Sequence, residues 1–172
     1  MDDPALEYTT DLGPEDLEHG TWIVVLKADE MPHVCMVQHG VCFSLEHDGN
    51  HRYPADKLRG LIARKRIPTL LCKLPREADG PLEPAFAAYD GLEGDTNCFV
   101  PVRDHCATWF PAARGCDYVF ELAPLLDAAG KVERFVGLHL PEAGGNRHVL
   151  PRYDQHEIRA RIADVRRSLT GG

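Results

Sequence analysis

The sequence predicts an α+β fold in which an antiparallel β-sheet is packed against helices. Three observations predict it. Two short runs of branched and aromatic residues are separated by the two residues His39-Gly40, a loop length that pairs strands antiparallel. Segments with apolar residues at helical spacing follow, notably around Leu58 and after Cys98. A capped amphipathic helix then closes the chain. The 172 residues fit a single domain able to bury a core without staples, and they contain no internal repeat or low-complexity segment.

Taken in order, residues 1–20 are acidic and turn-rich and read as a loosely held arm. Thr21–Lys27 is the first strand, bounded by Gly20 and the polar residues to Glu30. Met31-Pro32 introduces a second strand, His33–Gln38, which returns through His39-Gly40 as Val41–Glu46. His47–Tyr53 reads as a polar loop. Pro54–Arg66 reads as a short helix with Leu58, Leu61 and Ile62 on one face; its basic end complements the helix dipole. Pro68–Leu74 is a fourth strand, followed by a breaker-rich loop and a short helix carrying Phe86 and Tyr89.

Residues 91–110 read as a loop opening into a helix with Cys98 in its first turn. Asp95, Thr96 and Asn97 are the cap candidates, and Pro101 falls where a missing N–H costs nothing. Tyr118–Leu122 and Val132–Leu140 read as paired strands around Asp127–Gly130, and Gly144-Gly145-Asn146 as a turn. Asp154 and Glu157 form a capping box ahead of the stripe Ile158, Ile162, Val165 and Leu169. Residues 15–112 are expected to hold the functional core, and 113–172 to add a hairpin and the final helix to the same domain. Thr170-Gly171-Gly172 reads as a frayed end.

A net charge of −8 with no basic run argues against nucleic acid as a partner. No apolar run is long enough for a membrane span, and the acidic N-terminus has no apolar stretch of signal-peptide type. Six cysteines without a close pair point to a reduced, cytoplasmic setting, with signal-independent export left open. Cys98, His105, Cys106 and Cys116 match no zinc-ligand spacing, so neither a metal nor a cofactor is expected.

A thiol in the first turn of a helix sits against the positive end of the dipole, which favours thiolate and makes Cys98 a candidate nucleophile. The alternative is a small cysteine that anchors the helix to the core. The hairpin selects its partner among nine histidines. A two-residue loop at His39-Gly40 pairs Cys35 with Ser44 and His33 with Glu46 on one face, an imidazole beside a carboxylate, as a base and its orienter require. A three-residue loop would bring Leu45 opposite His33 instead. The competing reading of the pair is a solvated strand-end contact worth ~0.2–1 kcal/mol. His105, on the cysteine's own helix, lies about 10 Å along the axis and cannot reach it.

The order of Glu18-His19-Gly20, His33-Val34-Cys35-Met36-Val37, Phe43-Ser44-Leu45-Glu46, Tyr89 and Asn97-Cys98 resembles circularly permuted NlpC-type papain-like proteins, with their lecithin:retinol acyltransferase relatives. The resemblance spans roughly residues 15–112. It departs at Thr21, where the family often carries Asp after Gly, and at Pro101. It implies a papain-like fold with Cys98 as nucleophile, His33 as base and Glu46 as the polar third member. The expected activity is that of a cysteine amidase or peptidase on a peptide or other amide substrate. Acyl transfer and a non-enzymatic binding or immunity-type role on the same fold are the alternatives.

Overall fold

A computed structural model describes residues 3–93, 96–142 and 145–171. Asp95, Gly144 and Gly172, to which the sequence assigned cap, turn and tail roles, lie outside those residues. The elements run β1 (Leu6–Glu7), β2 (Thr21–Leu26), β3 (His33–Gln38), β4 (Val41–Glu46), β5 (Gly49–Pro54), α1 (Ala55–Lys65), β6 (Thr69–Lys73), α2 (Glu83–Ala87), α3 (Val100–Trp109), α4 (Val119–Ala128), β7 (Arg134–Leu138), β8 (Arg147–His148) and α5 (Gln155–Thr170). The main sheet has the order β5-β4-β3-β2-β6-β7, with every neighbouring pair antiparallel. The expected α+β class with helices set against an antiparallel sheet is what the chain forms.

Strand alternation divides the core in two. Ile23, Val25, Val34, Met36 and Leu70 face α2, α3 and α4, which contribute Phe86, Val102, Cys106 and Leu122. Trp22, Val24, Cys35, Val37 and Leu71 face Leu58 and Ile62 of α1. Helices therefore cover both faces of the sheet, and β2 at its centre is buried along its whole length. That explains why β2 reads as a continuous apolar run rather than an alternating one.

Three sequence expectations are corrected. Tyr118–Leu122 opens helix α4, with Tyr118 as its N-cap. The branched and aromatic run suggested a strand, but Val119, Leu122, Ala123 and Leu126 are buried at helical spacing. The strand partner of β7 is accordingly β6. His47–Tyr53 is mostly strand: β5 pairs with β4 from Val41↔Pro54 to Glu46↔Gly49, an edge strand whose polar side chains hide it from pattern reading. The N-terminal arm is docked rather than loose. Leu6 and Leu17 are buried, β1 pairs with β8, and Thr9 bridges to Val136.

Candidate active site

The hairpin that positions His33 closes as expected. His39 and Gly40 both have positive φ, 48° and 82°, as a two-residue turn matched to strand twist requires. The ladder then runs Gln38↔Val41, Val37↔Cys42 and Met36↔Phe43. Continued, that register would bond Val34 to Leu45. Instead the Val34 N–H donates to Cys98 Sγ at 3.4 Å. The thiol occupies the place of a strand carbonyl, one residue along from His33, where β3 stops pairing with β4.

This interruption reorganises the expected constellation. His33 Nε2 meets Ser44 Oγ at 2.7 Å, and Ser44 is fully buried. Glu46 faces His51 at 3.4 Å. Among the described residues no hydrogen bond or ion pair joins His33 to Glu46, so Ser44, not Glu46, is the side chain that holds the ring. Nor does a hydrogen bond join the ring to Cys98. Alternation explains the separation: His33 follows the Cys35 face, whereas Cys98 packs with the cluster on the Val34 face. Both residues nevertheless line one cavity at the strand end.

Helix α3 starts at Val100 with Phe99 as N-cap, which places Cys98 in the turn just before the helix. Asn97 builds that turn. Its Oδ1 accepts the Phe99 N–H at 2.9 Å, and its carbonyl accepts the Val100 N–H at 3.2 Å. Thr96 exchanges backbone hydrogen bonds with Glu93 instead of capping.

Burial governs the charge state. Desolvation pushes the Cys98 thiol up to about 11, against the pull of the Val34 and Cys98 N–H groups. The expected thiolate is therefore not favoured. A rise from 9.0 to about 11 corresponds to about 3 kcal/mol against the anion, beyond the 0.3–1 kcal/mol that an exposed helix terminus typically supplies. Desolvation, and secondarily the Lys27 charge, lowers His33 to about 4. Thiol and imidazole are both neutral at pH 7.

The shared cavity has a volume of about 300 Å³. Cys98, His33, Asn97 and Glu46 line it together with Met31 and Pro32 of the β2–β3 connection and with Tyr153, Ile158 and Ile162. The C-terminal helix therefore forms a wall of the cavity. Glu30 ties the β2–β3 connection to α5: it lies 4.0 Å from Lys27 Nζ and 3.6 Å from Arg161. The sequence reading missed Ser44 as ring partner, Tyr153, and the use of α5. An amphipathic stripe with no assigned partner was the available signal for the last.

The considered zinc set does not assemble. His105 is buried with Nε2 2.8 Å from the Ala78 carbonyl, and Cys106 and Cys116 lie in the core. Among the described residues, the group that could hold a cation is Glu46, Asp48 and His51 on the β4–β5 turn, whose ligand atoms lie within 4.8 Å of one another. His51 Nε2 already meets Asp48 at 2.6 Å. No described helix is long and apolar enough to cross a membrane. Comparison of the chain with protein-family models, with curated proteins and with solved structures found no match.

Proposed function

We propose that the protein is a cysteine hydrolase of the amidase or peptidase type, with Cys98 as nucleophile and His33 as proton carrier. The observation that carries this reading is the placement of the sulfur. It sits at the Val34 N–H, next in the chain to His33, and opens with the imidazole on one cavity. Because both groups are neutral at pH 7, the imidazole acts as a general base during attack rather than as half of a preformed ion pair. For this the ring turns from Ser44 toward Sγ. It takes the thiol proton as the S–C bond forms, then delivers it to the leaving amine as the C–N bond breaks. Water adds to the thioester with the ring again as base, releasing the acid and restoring the thiol. Ser44 is a positioning residue that holds the neutral ring between turnovers.

A second reading, a non-enzymatic binding protein with an idle thiol, is favoured by two observations: the thiol near 11 and the ring held by Ser44. Turnover of p-nitrophenyl esters and peptide p-nitroanilides separates the two. The hydrolase reading expects Cys98→Ala to abolish turnover and His33→Ala to lower it by about 10²–10⁴-fold. Absence of turnover, or turnover equal in wild type and Cys98→Ala, overturns it in favour of binding.

A further inference from the structure

We infer that the side-chain amide of Asn97 is the donor that holds the substrate carbonyl oxygen as Cys98 attacks. This rests on the hydrolase reading above and assigns the group that stabilises its oxyanion. Attack on a carbonyl leaves negative charge on oxygen, and a donor fixed in advance at that oxygen is commonly a large part of catalysis. Of the backbone groups near the sulfur, the Val34 N–H is already committed, since it donates to Sγ itself.

Asn97 supplies a donor that is not so committed. It is 5% exposed and lines the cavity beside the thiol. The Phe99 N–H holds its Oδ1 at 2.9 Å, which fixes the plane of the amide and leaves Nδ2 as the other end. Nδ2 has no hydrogen-bond partner among the described residues. Among the described residues the fully buried side-chain atoms without a partner are Trp109 Nε1 and Gln155 Oε1, and Nδ2 is not one of them. The amide is thus fixed in advance, with a donor end that has no partner among the described residues. A carbonyl oxygen entering the cavity satisfies it.

The test compares two reactions of the same sulfur. Addition to an aldehyde such as N-acetylphenylalaninal forms the C–S bond, places charge on oxygen and ends with the thiol proton there, as a hemithioacetal. Alkylation by iodoacetamide displaces iodide at carbon and creates no oxyanion. The variants are Asn97→Ala and Asn97→Ser; serine keeps an oxygen able to accept the Phe99 N–H but removes Nδ2. The expected result is about 10²-fold weaker aldehyde binding in both variants with alkylation rates within about twofold of wild type. Unchanged aldehyde binding, or aldehyde binding and alkylation falling together in both variants, overturns the assignment and leaves Asn97 as a turn builder only. A wild-type protein that alkylates at Cys98 but neither binds the aldehyde nor turns over esters removes the hydrolase reading and this donor with it. Ester turnover that survives in Asn97→Ser removes the donor alone.

Discussion

At His33 and Cys98 the same force, loss of water, moves the two groups in opposite directions and leaves both uncharged. The consequences for stability are opposite in pH. An unfolded chain binds a proton at its histidine near 6.5, whereas folded His33 resists until about 4. Stability is therefore full above pH 6.5 and falls as the pH drops toward 4, by up to about 3 kcal/mol from this residue. Urea unfolding across that range is expected to show the loss and to show it reduced in His33→Gln; equal slopes would mean the ring is solvated. Cys98 acts at the other end: its contribution holds below pH 9 and declines as the pH rises toward 11. Its alkylation rate is expected to climb about tenfold per pH unit through the alkaline range, following the thiolate fraction. A plateau already at pH 6 would contradict the burial account. Turn length made the hairpin that carries His33 legible in the sequence, and residue type singled out the cysteine that shares its cavity. Ser44 in place of Glu46 was not legible, because no pattern records that a thiol takes the Val34 N–H and ends the ladder.

Elements were legible where one period dominates and obscure where local composition and tertiary pairing disagree. β2, β3, β4, α1 and β6 lie within a residue or two of their expected bounds, and the Asp154–Glu157 capping box forms with bonds of 2.9 and 2.8 Å. β5 and α4 were misread for opposite reasons, a polar edge strand and a helix that opens on strand-forming residues. Of the apolar stripe on α5, Ile158 is buried, while Val165 and Leu169 are 38% and 57% exposed. The helix thus contributes less to the core than its pattern suggested, and its inner face borders the thiol cavity. A chain ending at Asp154 is expected to keep its sheet and to expose Cys98, raising the alkylation rate by about tenfold or more. An unchanged rate would show that α5 does not limit access.

Across the whole molecule, the fold class followed from strand and helix periods, but the closing contacts between distant segments did not. The N-terminal arm is the clearest case. Tyr8 packs over Gly137 of the edge strand β7 so closely that an added Cβ would meet its ring at 2.4 Å. Gly137→Ala is expected to cost about 1–3 kcal/mol, read as a lowered urea midpoint; no change would mean that the arm is not docked there. The same long-range assembly brings residues 33, 98 and 153 to one cavity, and the proposed chemistry depends on it. Its most direct test is intact-mass analysis with peptide mapping after brief exposure to an acyl thioester near pH 8. The account predicts a single acyl adduct, on Cys98, absent from Cys98→Ala and slowed in His33→Ala. No adduct, or acyl groups spread over several cysteines without regard to His33, would contradict it.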